Sequence, residues 1–230
     1  MPDLSLFERS IGFSFSNKAL LREALTHRSY LNERPDWDVP HNERLEFLGD
    51  AVLELTVTEE LYHRFPDYQE GILTSFRAAL VNYQILAKIA GEIQLEAFIF
   101  LSRGEAKDTG KAREVIMANA FESLVGALYL DLGYGEVKRF IVSRVMIHLS
   151  EIIAEGSFKD SKSLLQEKAQ SVLKLTPKYK VLRETGPDHD RIFTMGVYFA
   201  EKLIAEGFGP SKQEAELEAA KQALGEMKWQ

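Results

Sequence analysis

The spacing of apolar residues changes once along this chain of 230 residues, and the change divides it into two kinds of structure. From residue 1 to about 155, apolar residues recur three and four positions apart, as in Leu21, Ala24 and Leu25. This spacing is typical of helices that bury one face, and prolines and glycines separate successive stretches of it. We therefore predict an all-α domain over residues 1–155.

Residues 158–230 follow a short boundary at 155–157 and have a different pattern. In residues 193–199 apolar and polar side chains alternate, which is typical of a half-buried strand. The predicted elements are a helix over 161–173 capped by Asp160, strands over 179–183, 193–199 and 202–206, a turn at 207–210, and a final helix with Ala215, Ala219, Ala220, Ala223, Leu224 and Met227 on one face. The order α-β-β-β-α predicts a small α+β domain.

The charge is distributed unevenly between these two parts. The whole chain has a net charge of −7, which argues against a nucleic-acid-binding protein if it is spread evenly. Residues 158–230 contain 12 Lys and Arg against 11 Asp and Glu, whereas the remainder contains 16 against 24. An acidic excess in the first part is either solvated surface or a metal site that lacks its cations.

Composition also excludes some classes of protein. The chain has no cysteine, so disulfides and cysteine-based zinc sites are excluded. We expect no membrane-spanning segment, because no apolar run approaches roughly 18 residues. The first residues are polar and do not resemble a secretory signal. We therefore expect a cytoplasmic protein.

Residues 41–53 contain three carboxylates at helical spacing. Glu43, Glu46 and Asp50 stand at positions i, i+3 and i+7, within roughly 80° of one another on a helix. Such a stripe repels itself unless a cation lies between the side chains, and oxygen ligands suit Mg²⁺ or Mn²⁺ rather than zinc. The alternative is an ordinary solvated acidic face. The apolar residues between the carboxylates, including Phe47, favour a buried helix and so favour the metal site.

Residues 117–131 offer a partner for this helix. Asn119 and Glu122 are three positions apart and therefore share a face. Gly49 in the first helix and small residues such as Gly126 in the second would allow a close crossing. If the two helices cross there, one oxygen-lined site forms from Glu46, Asp50, Asn119 and Glu122.

Residues 42–53, NERLEFLGDAVL, resemble the signature of the ribonuclease III family. Further segments at 26–30, 71–81, 104–105 and 119–131 resemble the family in the same order, and 160–167, 186–189 and 209–216 resemble its double-stranded-RNA-binding domain. The resemblance implies an Mg²⁺-dependent endonuclease, in which Mn²⁺ can substitute, that acts on double-stranded RNA as a homodimer. It implies 5′-phosphate and 3′-hydroxyl ends with a short 3′ overhang, and a role in processing ribosomal precursor and messenger RNA.

The resemblance also implies roles for individual residues of the first domain. Glu46, Asp50 and Glu122 match catalytic, metal-binding carboxylates, Glu43 matches an acidic residue beside the site, and Phe47 matches a position at the dimer interface. Many members have Asp where this chain has Asn119, whose amide oxygen can bind Mg²⁺ but adds no charge. Weaker cation binding is expected. The alternative is a weakened or silent nuclease that still binds double-stranded RNA.

The last helix favours phosphate binding on physical grounds. Ser211 and Glu214 form a capping-box pattern, and Lys212 adds a charge to the partly positive helix N-terminus. The alternative is a capped surface helix with an incidental lysine. By resemblance the RNA contacts are Lys162, Gln166, Glu167, His189, Ser211, Lys212 and Gln213. Gln213 stands where the family often has a second lysine, so we expect a shallower dependence of RNA binding on salt.

Overall fold

The computed structural model describes residues 2–156, 161–187 and 191–227 of the chain. The chain folds into two compact units, Met1–Phe158 and Lys159–Gln230. We call them the first and second units. Two predicted residues, the helix cap Asp160 and the RNA contact His189, lie outside the described residues.

The first unit is built from helices, as the apolar spacing predicts. Among its described residues, the only strand-like pairing is a single bridge between Thr26 and Phe100. Large side chains such as Phe7, Phe121 and Phe140 are fully buried in its core. The α-helices are α1 (Leu4–Ile11), α2 (Lys18–Ala24), α3 (Arg28–Glu33), α4 (Glu43–Arg64), α5 (Glu70–Leu80), α6 (Tyr83–Glu92), α7 (Lys111–Leu132), α8 (Tyr134–Arg144) and α9 (Leu149–Glu155).

Helix α7 lies in the centre of the first unit. Most of its residues from Met117 to Leu128 are buried, and α4 and α6 pack against it. By length and composition alone it could cross a membrane, whereas the sequence pattern predicted no membrane-spanning segment. Most of its apolar stretch is buried inside the unit, however, as is usual for the core helix of a bundle.

The second unit has the predicted order of elements. Its inner face buries Leu165, Val197 and the alanines of the last helix. The three strands form an antiparallel sheet in the order β1-β2-β3. The elements are α10 (Ser161–Lys168), continued by a π-helical turn at Ala169–Leu173, then β1 (Lys178–Thr185), β2 (Ile192–Phe199), β3 (Lys202–Gly209) and α11 (Lys212–Glu226).

Strand β3 is longer than the sequence predicts. The glycines at 207 and 209 indicated a turn, but Gly207 pairs with Met195 and Gly209 with Phe193, so the strand continues to Gly209. A Cβ at position 207 would lie 2.1 Å from the backbone nitrogen of Ala219. Gly207 therefore allows close packing of the strand on α11, and it does not reverse the chain.

Candidate active site and RNA-binding surface

Helices α4 and α7 cross at two glycines, an arrangement that the sequence would allow. A Cβ on Gly49 would lie 1.8 Å from the carbonyl oxygen of Glu122, and one on Gly126 would lie 2.3 Å from that of Leu45. Backbone atoms cannot move aside cheaply, so the crossing requires glycine at both positions. The close approach places the acidic stripe of α4 beside the polar face of α7.

Glu122 occupies the most perturbed position at this crossing. Burial raises the pKa of its carboxyl group to about 8, and the nearby carboxylates of Asp50 and Glu46 contribute to the same rise. Asp50 itself is exposed, whereas Glu122 is half-buried. The two carboxylates from α4 and the one from α7 therefore share one electrostatic environment.

Glu46 lies between the other acidic groups of the site. The pKa of its carboxyl group is raised overall. Burial and the charges of Glu43 and Asp50 raise it, and a side-chain hydrogen bond with Asn119 offsets part of the rise. The amide of Asn119 is the partner that can donate to the carboxylate. Glu46, Asp50, Asn119 and Glu122 are thus brought together by their mutual interactions, although Asn119 meets Glu46 as a hydrogen-bond partner in this structure.

Glu43 lies at the edge of the group, at the start of α4. Its side chain is about half exposed, and its carboxylate lies 3.4 Å from a guanidinium nitrogen of Arg28. Arg44, which follows Glu43 in sequence, acts electrostatically on Glu23. Arg28 and Glu43 line a cavity of about 670 Å³ together with Glu46, Asn119, Glu105 and Lys111.

The cavity also contains His27, which could serve either as a structural residue or as a general base. His27 is the N-cap of α3, and its Nδ1 accepts a hydrogen bond from the backbone N–H of Ser29 at 3.3 Å. Burial lowers its pKa, so the neutral form is favoured. This geometry supports the structural role. The cationic and acidic members Arg28, Lys111 and Glu105 were not identified from sequence, because only the fold brings them to one cavity.

The donor set fits a hard divalent cation. Its atoms are carboxylate and amide oxygens, with no sulfur or imidazole among Glu46, Asp50, Asn119 and Glu122. Within the described ranges, no three His, Asp or Glu side chains are already spaced to hold a metal ion. The raised pKa values of Glu46 and Glu122 nevertheless show that these carboxylates lie near enough to repel one another.

Phe47 points away from the core of the first unit. Its side chain is 82% exposed, although the sequence indicated a well-buried helix. Beside it lies an apolar recess of about 670 Å³ whose lining includes Leu20, Leu48 and the exposed Leu130. Helix α4 therefore buries one face on α7 and presents an apolar residue to solvent on another.

Four of the predicted RNA contacts of the second unit lie at the starts of its helices. Ser211 caps α11, and its hydroxyl accepts a hydrogen bond from the backbone N–H of Glu214 at 3.2 Å. Lys212 and Gln213 are exposed on the first turn of that helix. Lys162 lies on the first turn of α10, and Gln166 and Glu167 follow one turn later.

Comparison with known proteins agrees with both units. Residues 17–149 match the sequence model described as Ribonuclease-III-like, and residues 161–227 match that of the double-stranded RNA binding motif. Ribonuclease 3 of Borreliella burgdorferi is 44% identical over 97% of this chain and 91% of its own length. Ribonuclease 3 of Bdellovibrio bacteriovorus is 46% identical over 96% of this chain and 94% of its own.

A solved structure resembles the first unit. The crystal structure of the nuclease domain of ribonuclease III from Campylobacter jejuni is 39% identical, with a TM-score of 0.57, and covers 64% of this chain and 97% of that domain. Sequence and fold agree over the nuclease part, and the curated relatives extend the agreement across the second unit. This chain belongs to the ribonuclease III family of double-stranded-RNA endoribonucleases.

Proposed function

We propose that Glu46, Asp50, Asn119 and Glu122 hold the divalent cations with which this enzyme hydrolyses double-stranded RNA. The observation that carries the proposal is the perturbed carboxyl group of Glu122, whose pKa burial and two neighbouring carboxylates raise to about 8. A partly buried group of like charges is unfavourable without a counter-charge, and perturbed pKa values are common at functional sites. Oxygen donors favour Mg²⁺, with Mn²⁺ as a substitute.

The residues of the site supply binding and orientation. A bound divalent cation lowers the pKa of a coordinated water molecule and offsets charge on the phosphate that is cut. Asp50, the exposed carboxylate, is accessible to solvent and substrate, while Glu122 anchors the site at the helix crossing. Glu43, paired with Arg28, lies at the rim of the cavity. We assign it a supporting role beside the site.

Cationic side chains at the same cavity favour a polyanionic substrate. Arg28 and Lys111 line it together with the acidic group, and there they can bind phosphates of the RNA backbone. Cleavage by the assigned site gives 5′-phosphate and 3′-hydroxyl ends. The proposed substrates are duplex regions of ribosomal precursor and messenger RNA in the cytoplasm.

We further propose that two copies of the chain associate through Phe47. An aromatic side chain that is 82% exposed beside an apolar recess suits a symmetric contact, in which each copy inserts its ring into the other. Paired cuts by two copies would leave the short 3′ overhang. One solved nuclease domain of ribonuclease III from Campylobacter jejuni is described as flexible in a region involved in dimer formation. Sedimentation of Phe47→Ala tests this: a dimer of unchanged stability would contradict it.

The second unit is proposed to hold the duplex. Lys162, Ser211, Lys212 and Gln213 lie at helix starts, where backbone N–H groups and positive charge favour phosphate. Gln166 and Glu167 on α10, together with His189, are proposed minor-groove contacts. Such domains bind A-form duplexes by shape and 2′-hydroxyls.

A second candidate function is duplex binding without cleavage. The observation that favours it is Asn119, which hydrogen-bonds Glu46 and contributes no negative charge to the site. Three carboxylates remain at the crossing, and they favour the active enzyme.

Cleavage of a long RNA duplex, with and without Mg²⁺, tests the assignment, and Asp50→Asn is the matched variant. We expect Mg²⁺-dependent cleavage that falls more than about 100-fold in Asp50→Asn, because removing the charge of a direct ligand should cost more than the roughly 10- to 100-fold loss usual for outer-shell partners. Duplex binding should be unchanged. If the unaltered chain binds the duplex and does not cut it with Mg²⁺ or Mn²⁺, the silent RNA-binding protein is the better description.

A further inference from the structure

Lys162 and Lys212, two of the proposed RNA contacts, each form an ion pair with a glutamate and lie over an aromatic ring. Nζ of Lys162 lies 2.6 Å from Oε2 of Glu216 and 4.9 Å from the centre of the Tyr179 ring. Nζ of Lys212 lies 3.3 Å from Oε1 of Glu184 and 5.5 Å from the centre of the Phe193 ring. Each ammonium group therefore already has a counter-charge within the protein.

Both carboxylates are partly shielded from solvent. The side chain of Glu216 is 23% exposed and that of Glu184 is 38% exposed. Glu184 also lies 3.6 Å from a guanidinium nitrogen of Arg191, so one carboxylate faces two cationic side chains. A phosphate that contacts either lysine must displace the glutamate or approach a negative charge.

We propose that Glu184 and Glu216 compete with RNA phosphate for Lys212 and Lys162, and so limit the affinity of the second unit for duplex RNA. The proposal rests on the RNA-facing role assigned to these lysines above. A lysine that stays paired with a carboxylate neutralises less phosphate charge and releases fewer counterions. The two glutamates thus weaken electrostatic binding that does not depend on sequence.

A third pair in the same unit provides a matched control. Nζ of Lys180 lies 3.7 Å from Glu201 and 4.8 Å from the centre of the Tyr198 ring, which repeats the arrangement of a lysine, a carboxylate and a ring. Lys180 lies within β1 and is not among the proposed RNA contacts. Removing the charge of Glu201 changes the net charge by the same amount, so it controls for general attraction to RNA.

The experiment measures binding of the full-length chain to an RNA duplex of about 20 base pairs, longer than the roughly 16 that such a domain spans. EDTA prevents cleavage, and the salt concentration is varied. Glu184→Gln and Glu216→Gln should each bind about two- to five-fold more tightly at low salt, the range expected for an exposed charge pair. Each should steepen the log–log salt slope by up to about 0.9, and Glu201→Gln should change neither.

Three other results overturn the proposal. If the glutamine variants bind no more tightly than Glu201→Gln, the glutamates do not compete, and the RNA-binding role of the unit stands. If they bind more weakly while their melting curves match the unaltered chain, the glutamates position the lysines. If the unaltered chain does not bind the duplex, the proposed RNA-binding role fails as well. The two variants are made separately, so that one remains informative should the other unfold.

Discussion

The two units arrange the charged side chains of their proposed sites in opposite ways. In the first unit, Glu46, Asp50 and Glu122 are grouped at a helix crossing, and their proximity and burial raise the pKa values of Glu46 and Glu122. In the second unit, Lys162 and Lys212 are each accompanied by a glutamate at 2.6 Å and 3.3 Å. The helix crossing of the first unit concentrates charge of one sign, whereas these two lysines of the second unit are neutralised locally.

On the functions proposed above, the difference follows from the ligand that each unit must attract. A small divalent cation binds only where several negative oxygens meet, so the site must keep them close despite their repulsion. A long RNA duplex offers phosphates throughout its length, and a surface of uncompensated lysines would bind any of them. Under these proposals, repulsion is tolerated where a compact ion must be captured, and compensation moderates binding where the ligand is abundant and extended.

The largest expected effect comes from forcing the charged group apart. Gly49→Ala places a Cβ 1.8 Å from the carbonyl oxygen of Glu122, and the backbone of α7 must then move. We expect the free energy of unfolding of the first unit to fall by about 3 kcal/mol or more, at the upper end of overpacking effects, and cleavage to be lost. Thermal melting and the Mg²⁺-dependent cleavage assay measure the two effects.

The control for that variant is Gly91→Ala, since Gly91 lies in α6 and a Cβ there would meet nothing within 4 Å. Its free energy of unfolding should lie within about 0.5 kcal/mol of that of the unaltered chain, as is usual for surface substitutions. Equal stability of Gly49→Ala and Gly91→Ala would show that the helices do not cross as closely as described.

A smaller effect should follow from removing one charge of the group without moving the helices. The pKa of Glu122 is about 8 in the folded chain, against an ordinary value of 4.5. Between those two values the folded chain retains a proton that the unfolded chain has lost. Without metal, stability therefore falls as the pH rises from 4.5 to about 8. Glu122→Gln should melt at a higher temperature than the unaltered chain near pH 8, and the advantage should shrink toward pH 4.5.

Melting curves in EDTA across this pH range are the measurement, and Glu184→Gln is a suitable comparison from the second unit. Because Glu184 is paired with Lys212, its replacement should not stabilise the chain in the same pH window. If Glu122→Gln shows no advantage at the alkaline end of the range, Glu122 is not held in a repulsive environment, and the contrast between the two units is smaller than we infer.

Much of the fold could be predicted because the signals are local. The spacing of apolar residues predicted helices before residue 155 and the α-β-β-β-α order after it, and the structure confirms both. The resemblance of residues 42–53 to the ribonuclease III family is confirmed by the comparisons. Gly49 and the small residues of α7 were compatible with a close helix crossing, and the glycine contacts show that it occurs. The roles of individual site residues stay predictions.

Features that depend on distant parts of the chain were missed. The sequence pattern indicated that Phe47 helps to bury α4, yet it is 82% exposed, because apolar character does not show whether a side chain faces its own core or a partner. Arg44 was the nearest basic residue in sequence to the acidic stripe, but Arg28, from another helix, pairs with Glu43. Neither the cavity around Asn119 nor the ion pairs of the second unit have a sequence pattern of their own.

The smallest effect that we predict comes from adding charge to the group. Asn119→Asp replaces an amide that hydrogen-bonds Glu46 with a fourth carboxylate. Cation affinity rises with the number of charged ligands, so the Mg²⁺ concentration for half-maximal cleavage should fall by about tenfold or less. The same change adds repulsion between carboxylates and removes the hydrogen-bond donor to Glu46. In EDTA the variant should therefore melt at a lower temperature than the unaltered chain.

Asn119→Ala separates these two causes, because it removes the hydrogen bond to Glu46 without adding charge. It should need more Mg²⁺ than the unaltered chain, since one oxygen donor is lost. If Asn119→Asp instead requires as much Mg²⁺ as the unaltered chain and melts at the same temperature, position 119 lies outside the charged group. The cation site would then consist of the three carboxylates alone, and the amide would serve only to orient Glu46.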